Sequence, residues 1–169
     1  RANWWGKTSE MLVLKNVLEK MPDTHFYWAG DGPLREQVLS ELDQYDNFHW
    51  LGNLQYPDKV REYLSEIDVY ALVTGMDLAS LTLKEAQLMK KPVVATNVGG
   101  NQEMMIDGKT GFLVQQGSHE QLIDKFSLLL GDKDLAEKMG VEGRKFIEDV
   151  FNWELVTKNF IKIMESYLK

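Results

Sequence analysis

The chain has no cysteine, so neither a disulfide framework nor a thiolate metal site can be built from its 169 residues. No apolar run approaches the roughly 20 residues that cross a bilayer as a helix, and no signal-peptide pattern is visible. Basic residues are few and unclustered. With 19 Lys and Arg against 26 Asp and Glu the net charge is -7, which argues against a general nucleic-acid surface. It does not argue against a diphosphate ligand, because only the field at the site matters. No Gly-x-x-x-x-Gly-Lys-Ser/Thr loop exists, and Gly30-x-Gly32 lacks the third glycine of a dinucleotide fingerprint. His25, His49 and His119 are scattered at no ligand spacing, which argues against zinc and leaves His25 and His49 as packed or edge residues.

What remains is ordinary for a globular domain, 44% hydrophobic and 27% charged. A single domain of this length buries roughly 70% of its unfolded surface. The expectation is a soluble, cytoplasmic domain with no membrane association visible in this part. Residue 1 is Arg and sits close to a helix, so the chain reads as a piece of something longer.

Apolar β-rich runs alternate with amphipathic ones. Met11, Leu14 and Leu18 place a helix over Ser9 to Lys20, with Thr8 or Ser9 able to cap it. His25 to Ala29 reads as a strand buried on both faces. It breaks at Gly30-Asp31-Gly32-Pro33, whose proline suits the first position of a helix running to about Leu42. Phe48 to Leu51 is a strand closed by Gly52, a helix covers Asp58 to Ser65, and Val69 to Val73 is the next strand. Pro92 to Thr96 and Gly111 to Val114 follow as strands, then three helices over about 118–130, 132–148 and 152–168. Strands alternating with helices of this length imply βαβ units and a doubly wound α/β fold with a parallel sheet.

The chemistry concentrates between Asp77 and Gly100. Thr82-x-x-Glu85 at a helix start has the form of a capping box. Glu85 is also suited to accept from the vicinal hydroxyls of a ribose, as acids in other α/β nucleotide sites do. Asp77 alone reads as a loop carboxylate making an Asx turn. Free amides at a helix start, here Leu81 and Thr82, form an anion site. Gly99-Gly100 serves either a tight strand-to-helix connection or a close approach to a ligand, and both readings stay open. Lys7 ahead of a helix is unfavourable to the helix dipole, and that misfit points to a function for it. Trp4 and Trp5 suit ligand stacking or a surface exposed by truncation equally.

Taken together these segments resemble a family pattern. Asp77, then Ser80 to Glu85, Lys91 to Thr96, Val98-Gly99-Gly100, Gln102-Glu103 and Asp107 to Val114 are similar to the donor-sugar region of retaining GT-B glycosyltransferases of family 4. Upstream, Gly30-Asp31-Gly32-Pro33, Leu51-Gly52 and Ile67-Asp68-Val69 also match, so the resemblance covers nearly the whole chain. It implies that residues 1–169 are the Rossmann-like C-terminal half of a GT-B fold. That half binds the nucleoside diphosphate sugar donor, and a missing N-terminal domain binds the acceptor. It further implies that Glu85 binds the donor ribose and that Asp77 lies against the transferred sugar. Leu81 and Thr82 amides face the diphosphate, the Gly99-Gly100 turn passes close by, and Lys7 neutralises the leaving group with Arg1. No metal cofactor is implied. Asp77 stands where the family has Glu, Ser80 where it mostly has Gly, and Gln102 where it has Pro. Arg1 lies six positions before Lys7 where the pattern has five, which puts Ala2 in the matching place. Alternatives carried forward are a binding module that has lost turnover and half of a nucleotide-sugar epimerase.

Overall fold

The computed structural model describes residues 4–167. The chain opens with helix α1 (Trp4–Ser9), a 3-10 turn (Glu10–Val13) and α2 (Leu14–Lys20). Strand β1 (Phe26–Ala29), α3 (Arg35–Leu42), β2 (Phe48–Gly52), α4 (Asp58–Glu66) and β3 (Tyr70–Leu72) follow. Then come α5 (Leu81–Leu88), β4 (Val93–Thr96), a 3-10 turn (Asn101–Glu103) and β5 (Gly111–Val114). Three helices finish the described residues: α6 (His119–Gly131), α7 (Lys133–Val150) and α8 (Trp153–Tyr167).

Every strand pair is parallel, as βαβ connections require. The hydrogen bonding is nonetheless interrupted. Among the described residues β1 pairs with β2 alone, and β3-β4-β5 form a second piece, where the sequence predicts one continuous sheet. The two pieces share helix layers. On one face Leu14 and Leu18 of α2, Val38 of α3 and Phe126 of α6 pack with Phe48 and Val94. On the other, Leu64 of α4 and Leu83 and Ala86 of α5 pack with Val93 and Ala95. All four residues of β4 are buried, and successive side chains enter opposite cores, which explains its continuous apolar run. β1 departs from the expectation of burial on both faces: it is half-buried with Tyr27 exposed, because among the described residues β2 is its one neighbouring strand.

Local differences have local causes. The first helix starts at Trp4 rather than Ser9, so Ser9 sits in helical conformation (φ -61°, ψ -23°) and makes no cap. Pro33 lies in a turn ahead of α3, which starts at Arg35. Ser118 and Asp132 cap α6 and α7 by accepting from the Gln121 and Leu135 amides. Helix α8 has no buried residue and displays Trp153, Phe160, Ile163 and Tyr167.

Candidate functional site

The site forms at the carboxyl ends of β3 and β4, where chain leaving a parallel sheet turns into helices. Beyond β3, Thr74 is buried and held in both directions: its amide donates to Thr96 Oγ1 at 3.1 Å and its hydroxyl donates to the Met76 carbonyl at 2.9 Å. Thr96 Oγ1 in turn donates to the Leu72 carbonyl at 3.2 Å. These bonds aim the following loop, Gly75 to Ala79, over the sheet edge.

Gly75 brings α1 into that loop. Its amide donates to the Lys7 carbonyl at 3.0 Å, and a Cβ on it would lie 1.9 Å from the Gly6 carbonyl oxygen. Only glycine permits this approach. The result is Lys7 Nζ 3.4 Å from Asp77 Oδ2, with the Asp77 side chain 13% and the Lys7 side chain 48% exposed. A pair this open is worth about 0–1 kcal/mol, so stability does not account for it. Asp77 therefore pairs with a cation 70 positions away instead of forming the Asx turn that its loop position suggests. Lys7 itself lies in the last turn of α1, where a positive charge suits the dipole; the predicted misfit with a helix start is not present.

The Gly99-Gly100 turn supports the same loop from below. Gly99 has φ +51°, and the Gly100 amide donates to the Asp77 carbonyl at 3.1 Å. Cβ atoms on Gly99 and Gly100 would stand 1.8 and 1.7 Å from the Asp77 and Leu78 carbonyl oxygens. The space that these glycines leave open is taken by the Asp77 loop, which makes the turn its seat.

Helix α5 starts at Leu81, and its cap is Ser80, whose hydroxyl accepts from the Leu83 amide at 3.2 Å. The capping box expected of Thr82 and Glu85 is thus absent, because the helix begins before Thr82 instead of after it. Thr82 is engaged otherwise: the Tyr70 hydroxyl donates to its Oγ1 at 2.6 Å, and Ser80 Oγ lies 3.0 Å away. Burial is the main cause that raises the Tyr70 phenol above its ordinary pKa, so it stays a neutral donor there. Amides at Leu81 and Thr82 are among the first of the helix and have no intrahelical acceptor. Glu85, half-buried one turn further in, lines with Lys7, Thr74 and Thr82 a cleft of about 1450 Å³. The Gly30 to Pro33 turn, Leu51 and Asn53 border the same cleft.

The structure thus gathers Lys7, Asp77, Leu81, Thr82, Glu85, Gly99 and Gly100 on one rim, whereas Arg1 lies outside the described residues. Sequence reasoning passed over Thr74, Gly75, Thr96 and Tyr70. A glycine straight after a β-rich run was a readable signal for Gly75; the two threonines and Tyr70 had none. It also separated two histidines that the fold joins: Tyr27 and His49 are register partners, and His25 Nδ1 lies 2.9 Å from His49 Nε2. Among the described residues no group of three or more His, Cys, Asp or Glu is arranged to hold a metal, and no helix is long and apolar enough to cross a membrane.

Comparison with known proteins bears on this rim. Residues 10–132 match the family model described as Glycosyl transferases group 1. The sulfoquinovosyl transferase SQD2 of Arabidopsis thaliana is 30% identical over 155 residues, covering 90% of this chain and 30% of that protein. Among solved structures, sucrose-phosphate synthase from Thermosynechococcus elongatus superposes with a TM-score of 0.80 at 22% identity, covering 94% of this chain and 42% of that one. Anabaena HepE in complex with UDP-glucose gives a TM-score of 0.77 at 20% identity, with 95% and 45% covered. The chain therefore spans less than half the length of each of these proteins.

Proposed function

The chain belongs to the glycosyl transferases group 1 family, and on that footing we propose that it is the donor-binding half of a glycosyltransferase. In the full-length protein, which we read as cytoplasmic, it binds a nucleoside diphosphate sugar, and the sugar passes to an acceptor held by a further, N-terminal domain. The observation that carries this reading is the convergence of Lys7, Asp77 and the start of α5 at one mouth of the cleft. A diphosphate set against the Leu81 and Thr82 amides meets both the helix dipole and the Lys7 ammonium. Glu85, free of any capping duty, is available to accept from the ribose hydroxyls. Asp77 faces the sugar, held rigid by Gly99 and Gly100 behind it.

Transfer proceeds with retention and without a metal. Negative charge developing on the departing diphosphate is stabilised by the Lys7 cation and the helix-start amides, a preorganised electrostatic arrangement. Without the acceptor half, residues 1–169 bind donor and transfer little. The exposed apolar residues of α8 suit packing against that half.

An amide titration of residues 1–169 by NMR with UDP-glucose, UDP-N-acetylglucosamine, GDP-mannose and ADP-glucose tests the reading. Shifts clustered at residues 77–85, 98–101 and around Lys7 with one donor are expected. Their absence with every donor, repeated on the full-length protein, would overturn it.

A further inference from the structure

Three hydroxyls meet at the start of α5, and their bonding leaves one of them a proton to give. A hydroxyl oxygen carries one proton and two lone pairs. Among the described residues Thr82 Oγ1 has two hydrogen-bond partners: the Tyr70 hydroxyl, which donates to it at 2.6 Å, and Ser80 Oγ at 3.0 Å. Ser80 Oγ accepts from the Leu83 amide at 3.2 Å, which leaves its own proton to go to Thr82. With Tyr70 and Ser80 both donating, the lone pairs of Thr82 are filled. The one direction left at that oxygen belongs to its proton, and Thr82 lines the cleft together with Lys7 and Glu85.

Tyr70 serves two ends at once. Its ring packs against the core formed by Leu83, Val93 and Ala95, a duty that phenylalanine would perform equally well. Its hydroxyl serves Thr82. The residue stands at the first position of β3, where its amide donates to the Pro92 carbonyl at 3.0 Å and anchors it to the sheet. Burial chiefly, with a smaller contribution from the Glu85 and Asp77 carboxylates, holds the phenol above its ordinary pKa against the opposing effect of the Thr82 bond. At neutral pH it therefore brings Thr82 a proton and no charge. Threonine in a helix divides between two χ1 rotamers, and a bond from a donor anchored in a strand selects one of them. A hydroxyl that accepts in this way is also the stronger donor, because hydrogen bonds in a chain polarise one another.

We propose that the Thr82 hydroxyl donates to a phosphate oxygen of the nucleoside diphosphate, and that Tyr70 is the positioning residue that holds and polarises it for that bond. The inference rests on the reading of the α5 start as the diphosphate site. It adds a side-chain donor to the Leu81 and Thr82 amides, and a hydrogen bond to a charged oxygen is shorter and stronger than one between neutral groups. Tyr70 itself touches no ligand atom and acts through Thr82 alone.

The test is a double-mutant cycle on donor affinity, measured by calorimetry with the full-length protein. The titrant is whichever of UDP-glucose, UDP-N-acetylglucosamine, GDP-mannose and ADP-glucose the unaltered protein binds most tightly. Thr82→Val should weaken binding about 10- to 100-fold, the value of a hydrogen bond to a charged group, and Tyr70→Phe about 3- to 10-fold. The double variant should bind within about twofold of Thr82→Val, because Tyr70 has nothing left to act on. Thr82→Ser, which keeps the hydroxyl, should recover affinity to within about threefold of the unaltered protein. Melting temperatures separate positioning from a structural role. Thr82→Val strands the Tyr70 hydroxyl and should melt lower; adding Tyr70→Phe removes the stranded group and should restore the melting temperature while affinity stays low. Losses that multiply in the double variant, or affinities that follow melting temperature across the set, overturn the role of Tyr70. Undiminished binding in Thr82→Val, or binding by Thr82→Ser as weak as by Thr82→Val, overturns the hydroxyl contact while the donor-site reading survives. An unaltered full-length protein that binds none of the four donors overturns both.

Discussion

The Gly75 amide donates to the Lys7 carbonyl at 3.0 Å, and through this bond the end of β3 sets the position of a cation 68 residues earlier in the chain. The contact depends on the missing Cβ of Gly75, and the Lys7–Asp77 pair depends on the contact.

On the proposed function, Gly75→Ala is expected to cut kcat/KM of the full-length protein on the order of 100-fold, because displacement of α1 by about 1 Å misplaces Lys7. Circular dichroism should remain native. Undiminished turnover in this variant would show that the seat of Lys7 is irrelevant to the reaction.

Asp77→Ala in the full-length protein should lower kcat by at least about 100-fold while donor affinity changes less, the pattern of a group used chiefly in the transition state. Asp77→Glu should retain part of the rate. Steady-state kinetics settle it: full activity in Asp77→Ala would remove Asp77 from the mechanism.

Ser80 and Glu85 should separate cleanly. Ser80→Ala removes the cap of α5 and should cost about 1 kcal/mol in urea denaturation. Glu85→Gln should leave stability unchanged and weaken donor binding by about 10- to 100-fold, the value of a hydrogen bond to a charged acceptor. A capping role for Glu85 would instead reveal itself as lost stability in Glu85→Ala with unchanged binding.

Gly140→Ala tests the packing of α7 on α5. Helix propensity favours alanine by about 1 kcal/mol. The added Cβ, however, would lie 1.9 Å from the Lys90 carbonyl oxygen, and Lys90 is held at φ +57°. Overpacking at such a site costs about 1–3 kcal/mol, so the net effect should be destabilising or, at best, neutral. A rise in the denaturation midpoint would contradict the close helix contact.

Much of the fold was legible because its signals are local. The β-rich run of β4 and the alternation of strand and helix are properties of neighbouring residues. So is the carboxylate at the first turns of α5, though its role as a capping partner was misread by two residues of helix boundary. Ser80 and Thr82 both fit a helix start, and the choice fell to Ser80 through its bond to the Leu83 amide and the bond from Tyr70 that occupies Thr82.

By itself the sequence determined which segments form elements, that the strands are parallel, and which residues along it are suited to a donor site. Only the tertiary structure decided that Lys7 meets Asp77, that Gly99 and Gly100 carry the Asp77 loop, and that His25 meets His49. The reason is physical. Periodicity and capping report on neighbours within a few residues, whereas these contacts depend on crossovers that fold remote segments onto one sheet edge, where a single missing Cβ sets how closely they approach.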